Sequence, residues 1–140
     1  PAIVAAARGW IGTPYLHQAS LRGIGCDCLG LVRGVWREVV GAEPEDPGPY
    51  SADWAEASFE EHLAEAGARH FTPIACEDFA PGDVLLFRWR AHVPAKHMAI
   101  AATAQTMIHA HDGARVCEAA LSPWWRRRVA FAFRFPGIVG

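Results

Sequence analysis

Cys26-Asp27-Cys28-Leu29-Gly30-Leu31 (CDCLGL, residues 26–31) is the stretch on which the reading of this chain turns. Two cysteines flank one acid, and an apolar run follows. Asp is a preferred helix N-cap. Behind it Leu31, Val32, Val35, Trp36 and Val39 recur at helical spacing, and Gly41 supplies a stop. The pattern predicts a helix from Cys28 to about Val40, with Cys28 in its first turn. Free amide N–H groups and the positive end of the dipole favour a thiolate there, lowering the thiol from its usual value of about 8.5. Such a thiol is expected to react selectively with a thiol reagent at mildly acidic pH. Gly30 leaves room for close approach of another backbone or of a substrate.

Working outward, Ile3, Val4, Ala7, Trp10 and Ile11 predict an amphipathic helix over residues 2–11, ended by Gly12-Thr13-Pro14. Residues 15–27 read as a glycine-bearing loop. GAEPEDPGPY (41–50) reads as a second loop. Trp54, Phe59, Leu63 and Ala66 predict a third helix, stopped by Gly67. Strands are expected in APGDVLLFRW (80–89, after a turn), HMAIAAT (97–103), TMIHAH (106–111), ARVCEAA (114–120) and VAFAFRF (129–135). Asp112-Gly113 is the clearest hairpin signal. Helices first and antiparallel strands after make the class α+β, with N-terminal helices packed on a C-terminal antiparallel β-sheet. One domain over 1–140 is expected, without internal repeats.

Composition narrows the function classes. Apolar residues are 51% and charged residues 20% of the 140, as in a globular chain. A net charge of −2 argues against a general nucleic-acid binder. No apolar run approaches the roughly 18 residues of a membrane span. The opening PAIVAAARGWIG lacks a basic leader and is not read as a signal peptide. Cys26 and Cys28 are too close to pair comfortably, and a chain of this size needs no staples, so the four cysteines are expected to be reduced thiols.

A nucleophile needs a base. His97 opens one apolar strand and His109 lies in the next. Adjacent antiparallel strands place two such rings side by side, one to take the thiol proton and the other to orient it. No metal and no cofactor are expected. A zinc site of Cys26, Cys28, His109 and His111 has suitable ligand types, and His111 shares the strand face of His109, but C-x-C and H-x-H lack the usual spacings. Cys76 and Cys117 read as packing residues, and Cys26 as a loop-packing one. Trp124-Trp125-Arg126-Arg127-Arg128 invites a nucleic-acid reading, yet the acidic balance favours a solvated edge or a protein contact.

GTPY (12–15), GCDCLGLVRGVW (25–36), PGDVLLF (81–87), KHMAI (96–100) and MIHAHDG (107–113), in this order, resemble the NlpC family of cell-wall cysteine peptidases. The resemblance runs from about Ala2 to Phe135 and is strongest to the short phage and gene-transfer-agent type. It implies a papain-like α+β NlpC fold. It implies Cys28 as nucleophile, His97 as base and His109 as the orienting third residue. Tyr15 matches a Tyr lining the family's site. Asp27 becomes a candidate to meet a substrate amine as well as to cap the helix, and His17, in the loop before Cys28, a candidate to line the cleft. Leu29 stands where the family form has Ser, and Ala99 where it has Gly.

The implied substrate is the peptidoglycan stem peptide, often cut between D-glutamate and diaminopimelate. The implied partner is a phage-like tail tip or baseplate protein, with no nucleic acid and no membrane. Synthesis in the bacterial cytoplasm without a signal peptide, and action on the cell wall as part of a phage-like particle, complete the expectation. A non-catalytic tail component of the same fold, and an acyltransferase or amidase of the same superfamily, are the alternatives. The known acyltransferases have the base His before the Cys, whereas here Cys28 precedes His97.

Overall fold

The computed structural model describes residues 2–44, 62–111 and 113–137. Helix α1 (Ala2–Arg8) and helix α2 (Cys28–Val39) are joined through a small hairpin of β1 (Ser20–Leu21) and β2 (Gly25–Cys26). Helix α3 (His62–His70) leads into β3 (Thr72–Ile74) and a 3-10 turn at Cys76–Asp78. Strands β4 (Val84–Phe87), β5 (His97–Ala101), β6 (Thr106–His109) and β7 (Cys117–Ala120) follow. A short helix α4 (Pro123–Arg126) and strand β8 (Val129–Arg134) complete the described chain. Six strands form one sheet in the order β3-β8-β4-β5-β6-β7, each neighbouring pair antiparallel. The α+β class is as the sequence implied. Among the described residues no helix is long and apolar enough to cross a membrane.

Alternation along the strands sorts the core into two layers. Val84, Leu86, Met98, Ile100, Ile108 and Phe133 join the helices in one cluster, to which α2 contributes Leu31, Val32, Val35 and Trp36. Each such fully buried large side chain contributes about 1.5–3 kcal/mol relative to exposure. Leu85, Phe87, Ala99, Ala101, Met107 and Ala132 face the other way and form a second cluster with Leu121, against which Trp125 packs. His97 and His109 fall, by the same period of two, with the second set. At the start of β4, buried Asp83 accepts two hydrogen bonds from Arg134 (3.0 and 2.9 Å) and one from Ala80 N–H (2.8 Å), which ties this strand to β8.

Several boundaries differ from the sequence reading. Helix α1 ends at Arg8 rather than residue 11, and Trp10 N–H and Ile11 N–H close tight i→i−3 turns instead. Trp10 remains buried, but Ile11 is 46% exposed and does not join the core. Gly67 does not stop the third helix. The helix runs through it to His70, and a Cβ at Gly67 would come within 2.8 Å of the Phe133 ring, so glycine here permits helix-on-sheet contact. Trp54, Phe59 and Asp112 lie outside the described residues. The hairpin β1–β2 sits inside the expected 15–27 loop, and α4 occupies the Trp-Trp-Arg segment.

Helices α1 and α2 meet through Gly34, where a Cβ would stand 1.9 Å from the Trp10 ring. Alanine is the better helix former by about 1 kcal/mol. Overpacking outweighs this, so Gly34→Ala is expected to destabilise by about 1–3 kcal/mol, read as a lower urea midpoint at unchanged m-value. A midpoint at or above that of the wild type would mean that the Trp10 contact yields freely.

Candidate active site

Asp27 builds the site from below. Its Oδ1 accepts the Gly30 N–H at 2.7 Å, which is the N-cap bond of α2, and its Oδ2 accepts the Gln18 N–H at 2.8 Å. The carboxylate is 3% exposed, so one buried group fastens both the helix and the preceding loop. Gly30 is required at this junction, since a Cβ would lie 1.9 Å from the Ala19 carbonyl oxygen. Ser20 Oγ donates to the Gly30 carbonyl at 2.6 Å and holds the same contact from its other side. The close approach that Gly30 admits is therefore that of a backbone.

This junction sets Cys28 as the first residue of α2. Its thiol donates to the Lys96 carbonyl at 3.8 Å and meets the backbone N–H of Met98. These two groups flank His97 on either side, so the thiol rests against the piece of β5 that carries the imidazole. The thiol's hydrogen-bond partners are backbone groups, and among the described residues it makes no hydrogen bond to the His97 ring. Catalytic contacts of this kind often tighten only when substrate is bound.

His97 and His109 are both buried, and His97 Nε2 lies 2.9 Å from His109 Nδ1. One proton is shared by these two nitrogens. If His97 is to accept a proton on Nδ1, its Nε2 carries the hydrogen and donates to His109 Nδ1. His109 is then the acceptor and keeps its own proton on Nε2.

Tyr15 is half-buried and packs against the main core, with its backbone bridged to Cys26. His17 is partly exposed, with Nδ1 3.7 Å from Asp27 Oδ2. Tyr15, His17 and Asp27 thus gather on the loop side of Cys28. The capping part of Asp27 is seen directly, with both carboxylate oxygens engaged. Cys26 is fully buried, Cys76 is half-buried and Cys117 is exposed, and all four cysteines are free thiols. The exposure of Cys117 corrects its reading as a packing residue, because β7 is an edge strand. Among the described residues no group of three or more His, Cys, Asp or Glu side chains is arranged to hold a metal ion.

The sequence reading missed an aromatic shell. Trp89 stacks on His97 with ring centroids 5.4 Å apart and planes at 25°. Trp125 touches the rings of His97 (5.5 Å) and His109 (5.3 Å). His111 packs parallel to His109 at 5.8 Å and against His97 at 5.6 Å. The signal for Trp89 was present: Leu85, Phe87 and Trp89 continue one period of two, and Phe87 is the register partner of His97.

The electrostatics correct the expected thiolate. Burial pushes the Cys28 thiol up to about 12, with the Asp27 carboxylate as a second cause. Backbone N–H groups of Met98, Leu29 and Cys28 pull the other way without prevailing. Burial likewise holds His97 well below the ordinary histidine value, helped by His109 and His111, and holds His109 at about 4. Both shifts favour the uncharged forms, thiol and neutral imidazole, although Cys28 itself is only half-buried.

A sequence profile of the NlpC/P60 family matches residues 12–134. Among solved structures, the NlpC/p60 domain of the peptidoglycan hydrolase SagA is similar at 28% identity and TM-score 0.65, covering 96% of this chain and 97% of that one. An NlpC/P60 family protein from Bacillus cereus is similar at 21% identity and TM-score 0.69, covering 96% of this chain and 39% of that one. The peptidoglycan hydrolase RipB from Mycobacterium tuberculosis is similar at 18% identity and TM-score 0.59, covering 95% of this chain and 62% of that one. This chain therefore spans nearly the whole SagA domain but only part of the other two proteins. Comparison with curated protein sequences gave no match.

Two measurements test the neutral pair. Alkylation of Cys28 by iodoacetamide should climb through the alkaline range, and a rate plateau already present at pH 5 would instead show a thiolate–imidazolium pair. The depressed histidines also set an acid limit on stability. Their neutral form is favoured by folding, so their contribution is complete above about 6.5, the ordinary histidine value, and is lost as pH falls toward about 4. The urea midpoint should fall across that window, and His109→Asn should flatten the fall.

Proposed function

The chain belongs to the NlpC/P60 family, and from that premise we propose that it is a cysteine peptidase that cuts the stem peptide of peptidoglycan. The observation that supports this reading is the placement of one thiol at a helix start against the backbone of His97, whose far ring nitrogen is held by His109. In the proposed reaction His97 Nδ1 takes the thiol proton as sulfur attacks the scissile carbonyl. The Cys28 N–H, at the open end of α2, faces the developing oxyanion. Collapse of the tetrahedral adduct breaks the C–N bond, and His97 gives its proton to the leaving amine. Water then attacks the thioester, with His97 taking its proton; the second adduct collapses by breaking the C–S bond, releasing the carboxyl product, and His97 returns the proton to sulfur. With the uncharged forms favoured, the proposed proton transfer accompanies attack rather than preceding it.

Tyr15, His17 and Asp27 are assigned to the substrate side of this cleft. The D-glutamyl–diaminopimelate linkage is the proposed target. Delivery by a phage-like tail tip or baseplate, after synthesis in the bacterial cytoplasm, is the proposed setting, and its support is the resemblance of CDCLGL and its flanks to the short phage-type form.

Digestion of purified diaminopimelate-type peptidoglycan, followed by mass analysis of the fragments, tests the reaction and the bond together. Cys28→Ala should abolish release with the fold intact, whereas Cys26→Ser should keep much of it. The histidine roles fix an order of turnover at saturating substrate: wild type, then His109→Asn, then His109→Ala, then His97→Asn. In His109→Asn the introduced amide oxygen still accepts the proton of His97 Nε2. An amide at position 97 cannot take a proton from a thiol. Equal and total loss in both His109 variants would make His109 the proton carrier and exchange the two roles.

A further inference from the structure

Beside the candidate triad lies a tryptophan surface that the proposed chemistry does not use. Trp124 is 44% exposed, although it sits on the sheet face that carries His97. Its ring is 6.0 Å from that of Trp89, which in turn stacks on His97. Trp125 forms the floor, with its centroid 4.9 Å from Trp124 and 5.7 Å from Trp89.

The surface is built to be rigid. The Arg128 guanidinium covers the Trp124 ring at 3.7 Å while its Nη1 donates to the Trp124 carbonyl at 2.9 Å. Arg126 binds the Leu121 carbonyl at 2.9 Å and the Ala104 carbonyl at 2.6 Å, anchoring α4 to the turn between β5 and β6. A ring held this way loses little freedom on binding, which favours recognition of a ligand.

We propose that Trp124 and Trp89 form a sugar-binding subsite that receives a pyranose ring of the glycan strand from which the stem peptide hangs. The proposal rests on the peptidoglycan reading above. Its physical basis is a mismatch and a match. Alanine, glutamate and diaminopimelate carry small or charged side chains, and none matches the part of the Trp124 indole that Arg128 leaves exposed. A pyranose presents a flat face of C–H groups with hydroxyls at its rim, which suits an indole that is apolar on its face and polar at its N–H edge. The position is right as well, because a ring on Trp124 lies within one tryptophan of His97.

The test uses two substrates: the free stem tetrapeptide, and the same peptide on its N-acetylglucosamine–N-acetylmuramic acid disaccharide. Below saturation, the wild type should cleave the sugar-bearing substrate about fivefold faster. Trp124→Ala should bring that ratio near one while leaving the rate on free peptide unchanged, and Trp124→Phe should restore part of the preference. An equal loss on both substrates, or no wild-type preference, would overturn the subsite. Binding of the disaccharide alone, read by tryptophan fluorescence on Cys28→Ala with and without Trp124→Ala, separates the two readings. Trp124-dependent binding without any cleavage of either substrate by wild type would overturn the peptidase and keep the subsite. Absence of binding at millimolar disaccharide would overturn the subsite and return Trp124 to the role of a protein contact.

Discussion

The site depends on the Asp27 carboxylate. Each of its oxygens accepts a backbone N–H, one from the first turn of α2 and one from the loop that leads to it. A buried carboxylate without such partners is costly, and removing one partner costs more than the bond itself contributes. The junction is therefore rigid in a way that a helix start in solvent is not. It places Cys28, it requires glycine at position 30, and it brings Tyr15, Gln18 and His17 alongside. The same negative charge disfavours a thiolate one residue away. One group thus places the thiol and, second to burial, disfavours its charged form.

Burial first, and this carboxylate second, favour the thiol form of Cys28. A helix start alone lowers a cysteine's pKa. Here burial and a neighbouring carboxylate outweigh that contribution, and burial on the other side keeps His97 neutral. Aromatic rings account for much of that burial: Trp89, Phe87 and Trp125 surround the imidazole. The tryptophans therefore adjust the electrostatics of the histidines as well as shaping the surface beside them.

Much of this was legible in the chain. Asp27 before an apolar period of 3.6 announced both cap and helix, and VLLF, HMAIA and VAFAFR announced strands by composition and alternation. The spacing of His97 and His109 on neighbouring strands was enough to bring their rings together. What escaped depended on tertiary contact. Gly67 reads as a helix stop because its reason, the Phe133 ring, is distant in sequence. Ile11 reads as core because local period carries no information on where α1 ends. The thiol's raised pKa could not be read from the helix start, since desolvation belongs to the packed state. Trp125 looked like an exposed edge because α4 is too short to show periodicity.

Residues 8–14 are fastened to the segment that leads into and forms β7. Arg8 binds Glu118 across 110 positions, Gly12 N–H bonds the Val116 carbonyl, and Pro14 bridges to Arg115. The Cys28 thiol meets β5 across 68 positions. Closing loops of that length is entropically demanding and slows folding. The physical consequence is an order of events. The surroundings of Cys28 cannot assemble until the chain has been synthesised through β5, and the amino-terminal segment, which packs on α2 through Trp10, gains its contacts to Arg115, Val116 and Glu118 only when β7 exists. During translation the thiol is an ordinary cysteine on an open chain, so the arrangement at the site is a property of a chain synthesised at least through β5 and of no shorter nascent piece.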